Sequence, residues 1–213
     1  MEKTVNEELR KFSLWLNINR LALNVGKTNF VIFRANRPLN HNVTLIMNRK
    51  ALAQKDHIKY LGVLMDEHLK WSPQISAVSK KISRGIGILA KLKNFLDAKL
   101  LSNIYYSLVY SHLSYGIQVW GSACPTELTK IKTLQNKAVR IMTGKQYYQI
   151  YGEPAVPLPS ADPLYKTLNI LKFDDIFYLN ISTFIFQTLD GKTPQIFDDW
   201  FTYVHDIHIH ATR

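Results

Sequence analysis

The chain has 213 residues, 46% of them hydrophobic and 20% charged, with a formal net charge of +11. That composition is that of an ordinary globular protein, long enough for one full domain or two small ones. No apolar run approaches the eighteen or so residues of a membrane span, and the opening Met-Glu-Lys-Thr-Val-Asn-Glu-Glu is polar and acidic where a secretory leader is apolar. The single Cys124 excludes an internal disulfide framework or a cysteine-rich zinc module, so an intracellular, reducing compartment is expected. The charge is uneven: residues 1 to 145 hold 23 Lys+Arg against 8 Asp+Glu, giving +15, whereas residues 146 to 213 hold 4 against 8, giving −4. Such a split points to a polyanion partner for the first part alone, the plain alternative being lysines that keep a surface solvated.

From Val5 to Leu21 the apolar positions Val5, Leu9, Phe12 and Leu16 recur at spacings of three and four, which predicts an amphipathic helix with Glu7 and Glu8 in its first turns. It ends near Asn24-Val25-Gly26. Strands are predicted at Asn29 to Phe33, Val43 to Met47 and Ile58 to Met65, with turn chemistry around Pro38. One helix and about three short strands are too little sheet to stand alone. Ser72-Pro73 marks the start of a helix in which Ile75, Val78, Ile82, Leu89, Leu92 and Leu96 share one face, the rhythm interrupted at Gly85. Lys80, Arg84, Gly87 and Lys91 share the opposite face. A helix from about Ala98 to Val119 is apolar or aromatic almost all round and is expected at the centre of a bundle. A third, Pro125 to Thr143, sets Leu128, Ile131, Leu134, Ala138 and Ile141 on one side, away from Lys132, Lys137 and Arg140. Residues 150 to 163, with Pro154, Pro157, Pro159 and Pro163, read as an extended linker. A short helix near Leu164 to Leu168, an apolar one from Asp174 to Leu189 and a last one from Pro194 follow.

Two short motifs stand out. Asn24-x-x-Lys27-Thr28 ends like a phosphate-binding P-loop, but Leu21 stands where that loop needs a glycine, and the order here is helix, loop, strand rather than the reverse. Lys59-Tyr60-Leu61-Gly62 puts a glycine inside an apolar, β-rich run, where backbone can approach a ligand closely or form a bulge. Beyond Asp66 come Leu69-Lys70-Trp71, Ile104-Tyr105-Tyr106-Ser107-Leu108, Tyr115-Gly116-Ile117-Gln118-Val119-Trp120-Gly121 and Leu134-Gln135-Asn136-Lys137-Ala138-Val139-Arg140. In this order and at this spacing the blocks resemble the post-palm region of the reverse transcriptases of non-LTR retrotransposons, in their jockey-like branch.

The resemblance implies an α+β fold: the last part of a polymerase palm with a small sheet (1 to 70), a helical thumb (71 to 149), the linker (150 to 163) and a truncated helical region (164 to 213). It implies RNA-directed DNA synthesis for an intact polymerase, with Mg²⁺ held by aspartates that in the family precede Asn24, and with palm and fingers upstream of this chain. Lys27 then corresponds to a lysine beside the triphosphate, a candidate proton donor to departing pyrophosphate; taken alone it is a solvated loop lysine. Lys59, Tyr60 and Gly62 correspond to a primer-gripping hairpin. Lys80, Arg84, Gly87 and Lys91, with Lys132, Lys137 and Arg140 as a second row, are the candidate contacts to the phosphates of an RNA and DNA template–primer duplex. A nuclear location is implied by the family, and no membrane association is expected.

Other residues invite chemistry and are set aside. Phe173-Asp174-Asp175 and Phe197-Asp198-Asp199 lack the aromatic two positions before the first aspartate that a two-metal polymerase site shows, and Asp174 and Asp175 suit a helix start. His205, His208 and His210, with Asp206 among them and no cysteine near, read as a polar strand or frayed tail, so no metal site is expected in the chain. The expected function is thus that of a reverse-transcriptase fragment that binds template–primer and does not itself polymerise. The alternatives are a nucleic-acid-binding module retained by a host and an interaction remnant that associates through apolar surface.

Overall fold

Alternating apolar spacing at the start of the chain gives helix α1, Glu2–Ile18, which buries Leu16 and half-buries Val5 and Leu9. The computed structural model describes residues 2–35, 43–144 and 160–202, and it divides into two units, Met1–Gln74 and Ile75–Arg213. Pro154, Pro157 and Pro159 of the expected linker, and His205, His208 and His210, lie outside the described residues.

In the first unit, six short strands form three two-stranded sheets among the described residues. They are β1 (Asn29–Phe30), β2 (Ile46–Met47), β3 (Lys50–Ala51), β4 (Ala53–Gln54), β5 (His57–Tyr60) and β6 (Val63–Asp66). β1 pairs in parallel with β4, while β2–β3 and β5–β6 are antiparallel hairpins. Leu16, Leu45, Met47 and Leu52 form the core, with Leu23, Val25, Phe30 and Val43 packed against it. α1 is fastened to β2 by one side chain: Asn6 donates to the Thr44 carbonyl (3.0 Å) and accepts from Ile46 N–H (2.8 Å).

The run from Ile58 to Met65 is two strands, not one. Tyr60 faces Val63 across a two-residue turn, Leu61 (φ 44°) and Gly62 (φ 89°), both left-handed. A turn with positive φ at both central positions matches the twist of a tight hairpin. Gly62 is therefore a turn glycine, and the bulge reading is corrected.

The second unit is helical. α2 (Ser72–Leu92), whose opening turn holds the boundary between units, buries Ile75, Val78, Ile82, Ile86 and Leu89. The helix expected over 98–119 is interrupted: α3 (Ala98–Tyr105) continues as a π-helical turn (Tyr106–Tyr110) into α4 (Ser111–Ser114), and Gly116 (φ 62°) separates these from α5 (Ile117–Trp120). Its buried residues, Leu101, Tyr105, Val109, Leu113 and Ile117, repeat every four. In an α-helix such a repeat drifts about 40° per step; the wider turn, where Ser111 N–H reaches back to the Tyr106 carbonyl, takes up part of that drift. Not all of this segment is interior, for Leu100, Tyr106, Tyr115 and Val119 are exposed.

α6 (Pro125–Thr143) packs on α3 and on α7 (Asp162–Leu168), and α8 (Phe173–Leu189) packs across α4, α5 and α6. Pro163 lies in the first turn of α7 rather than in a linker, where its missing N–H costs nothing. A 3₁₀ segment, Gln195–Trp200, takes the place of the last predicted helix. At the centre Gln135 is fully buried, and both ends of its amide are used. Its nitrogen donates to the Tyr105 hydroxyl and the Leu171 carbonyl, both at 2.9 Å, and its carbonyl accepts from Phe173 N–H at 2.8 Å. Burial pushes the Tyr105 phenol well above its ordinary pKa, the Gln135 hydrogen bond offsetting only part of it.

Candidate nucleic-acid interface

Most of the predicted site residues fall on two surfaces, one in each unit, with Lys27 on a separate turn and Lys132, Lys137 and Arg140 on α6. In the first, the β5–β6 hairpin ends in a solvent-facing tip: Lys59 and Gly62 are exposed, as are Tyr60 (61%) and Leu61 (75%). What holds the hairpin is polar. The Asp66 carboxylate accepts from His68 N–H (3.1 Å), Lys70 N–H (3.0 Å) and Trp71 N–H (2.7 Å), bracketing Leu69 and Trp71 in left-handed backbone. Partial burial raises the Asp66 pKa, but these backbone donors together outweigh it and hold the carboxyl below its ordinary value. Glu67 accepts Arg34 Nη2 at 3.0 Å on each oxygen, and Arg34 N–H bonds the Glu67 carbonyl at 2.9 Å. His68 closes the group, with Nδ1 3.1 Å from the Arg34 carbonyl and Nε2 3.4 Å from Glu67. Asp66 is the residue that motif reading passed over; its signal was an Asp at the end of a strand with the helix start six residues on.

The Asn24-x-x-Lys27-Thr28 motif folds as an Asn-capped 3₁₀ turn. Asn24 Oδ1 accepts from Lys27 N–H (3.2 Å), and the Thr28 hydroxyl donates to the Asn24 carbonyl (3.0 Å). Asn24 and Thr28 are thereby occupied in shaping the turn, which leaves the Lys27 side chain exposed at its end.

The second surface is the outer face of α2. Lys80, Arg84, Gly87 and Lys91 are exposed along it, opposite the buried stripe. None of the three cations is paired with a carboxylate among the described residues. Residues 75 to 144 hold ten Lys+Arg and only two acids, Asp97 and Glu127. The two glycines of α2 differ. A Cβ on Gly85 would stand 2.7 Å from the Leu108 carbonyl oxygen, so this glycine is required where α2 meets the π turn. A Cβ on Gly87 would meet nothing within 4 Å, so the backbone there lies open.

The second row does not form as one. Lys132 is bonded to Asp174 at 2.8 Å. Arg140 is half-buried beside Tyr165, whose phenol is driven up by burial and by Tyr105, with the Arg140 charge opposing. Only Lys137 of these three is exposed. The first carboxylate pair is likewise occupied, at the start of α8: Asp174 by Lys132, and Asp175 by Lys172 N–H at 3.3 Å. Among the described residues no three His, Cys, Asp or Glu side chains come together to hold a metal ion, and no helix is long and apolar enough to cross a membrane.

Chemically, then, the described residues present cations and open backbone on a rigid helix, which can neutralise phosphates without reading bases. Comparison with known proteins gives this a context. The chain is 28% identical over 141 residues to the probable RNA-directed DNA polymerase from transposon X-element of Drosophila melanogaster, covering 65% of this chain and 15% of that protein. It is 30% identical over 148 residues to the RNA-directed DNA polymerase from mobile element jockey of the same fly, covering 68% and 16%. The jockey polymerase of Drosophila funebris matches at 30% over 149 residues, again 68% and 16%. This chain is a relative of the RNA-directed DNA polymerases of jockey and X-element non-LTR retrotransposons, as its motifs implied, and it spans 15 to 16% of their length. No family model and no solved structure matches it.

Proposed function

We propose that this chain is the template–primer-holding part of a non-LTR retrotransposon RNA-directed DNA polymerase: the end of a palm in the first unit and a thumb in the second. The observation that carries this reading is the row Lys80, Arg84 and Lys91, without a carboxylate partner among the described residues and set around the open backbone of Gly87. A row of this kind suits the phosphates of an RNA–DNA or DNA duplex, with RNA and DNA as partners. The hairpin tip at Lys59, Tyr60 and Gly62 would support the primer end, and Lys27 would stand beside a departing pyrophosphate. Of the second row, Lys137 is the best placed to join in.

Polymerisation would need Mg²⁺ between paired aspartates, and Asp174 and Asp175 are engaged elsewhere. Primer extension with the purified chain should therefore show no product above a no-enzyme control. A labelled RNA–DNA duplex should be shifted in a gel by the wild type. With Lys80→Glu and Arg84→Glu together it should not be, while circular dichroism stays unchanged. Binding that survives the double charge reversal would overturn the proposal. A second reading, association through apolar surface, is favoured by Tyr178, Leu179 and Phe186, exposed together on α8. It predicts a sedimentation coefficient that rises with concentration and ignores the charge reversals.

A further inference from the structure

The first unit carries a second cationic feature, a groove of about 440 Å³ between α1 and the turn joining β2 to β3. It arises from a pattern on α1 beside the apolar stripe: Asn6, Arg10, Ser13 and Asn17 follow one another at spacings of four, three and four, and so share a face. Asn6 fixes the upper end of that face to β2 through its two backbone hydrogen bonds. Ser13 bonds the Asn48 side chain from the other wall. Asn48 (φ 50°) and Arg49 (φ 62°) are both left-handed, which makes a tight hairpin turn. Asparagine suits that backbone; arginine does not and is uncommon there.

Arg10 and Arg49 line the groove with the amides of Asn17 and Asn48, and Leu14 and Ile46 supply exposed apolar surface. No carboxylate lines it, and neither arginine is paired with one among the described residues. Two guanidinium forks suit phosphate oxygens, and an apolar wall between amides suits the face and edge of an unstacked base.

We infer that this groove binds a phosphodiester segment of single-stranded nucleic acid, Arg10 and Arg49 taking a phosphate and Leu14 and Ile46 the adjoining base. The inference goes beyond the proposed function, since it concerns a different unit and a single strand rather than a duplex. The test is amide NMR of the full chain titrated with a ten-nucleotide oligothymidylate and, separately, with inorganic phosphate. The Asn48 and Arg49 amides should move with the oligonucleotide, in the wild type and equally in the Lys80→Glu, Arg84→Glu variant. They should stay still in Arg10→Ala with Arg49→Ala. The oligonucleotide affinity of the arginine variant should fall several-fold, and its salt slope should become shallower by about 1 for every phosphate it no longer neutralises. If those amides stay still in the wild type, or move as far with inorganic phosphate at the same concentration, the inference is wrong. The first result excludes the site; the second makes it a simple anion site. Neither touches the duplex reading, whose own variant is the one with α2 reversed.

Discussion

The two units solve the problem of holding a chain together by different means. Residues 75 to 202 bury whole side chains: Trp120, Tyr105, Phe173, Ile131 and Leu164 are all at or near zero exposure, and the one buried amide of that core, Gln135, is bonded at both ends. Among the described residues the first unit has one cluster of four buried hydrophobes, with Val63 and Trp71 also buried, and strands of two to four residues. Its shape depends on side chains that bond to backbone, Asn6 to β2, Asn24 to the 3₁₀ turn and Asp66 to the start of α2, and on the pairing of Glu67 with Arg34. The difference teaches where each unit is fragile. Volume changes should break the second, and loss of single polar atoms should break the first.

The largest effect is expected at Trp120, whose ring packs 5.7 Å from that of Phe173 and whose N–H donates to the Tyr115 carbonyl at 3.0 Å. Trp120→Ala should cost about 3–5 kcal/mol in urea unfolding. A cost under about 1 kcal/mol would mean that this core is not packed as described. Gly85→Val should be nearly as severe, by forcing α2 off the Leu108 backbone, at about 1–3 kcal/mol or more. Gly87→Val should leave the fold almost unchanged. In the first unit Asp66→Ala strands three backbone donors and should cost about 1–3 kcal/mol, read best by hydrogen exchange at Lys70 and Trp71. Because the folded-state pKa of Asp66 is depressed, its contribution is present above the ordinary carboxylate range. It is lost as pH falls through the folded value, and Asp66→Ala should flatten that acid limb. The smallest effect is Asn24→Ala, about 1 kcal/mol for a lost cap, detectable as faster exchange at the Lys27 amide.

The same contrast governs what could be read from the sequence. Periodicity found α1, α2, α6 and α8, because each has one apolar stripe or is apolar throughout. It could not separate β5 from β6, since Leu61 sits at a turn position that usually carries Asn, Asp or Gly and continues the apolar run. Nor could it find the π turn, where Tyr106 to Tyr110 look like any buried helix. Gln135 was counted with its motif and not as a hub, because its partners Tyr105, Leu171 and Phe173 are 30 or more residues away. For the site, the exposed face of α2 was legible, since a straight helix with one buried stripe fixes the opposite side. The second row was not: Lys132 and Arg140 are decided by Asp174 and Tyr165, contributed by helices that no spacing rule places beside them.

A role in holding a template–primer duplex stands or falls with the α2 cations meeting phosphate. Fluorescence anisotropy of a labelled RNA–DNA duplex, titrated with the chain from about 50 to 200 mM salt, measures that at once. Three neutralised phosphates predict that log K falls against log salt with a slope of about −3, and that Lys80→Glu with Arg84→Glu removes most of both affinity and slope. A binding constant indifferent to salt, or one that the double variant leaves intact, would contradict that role.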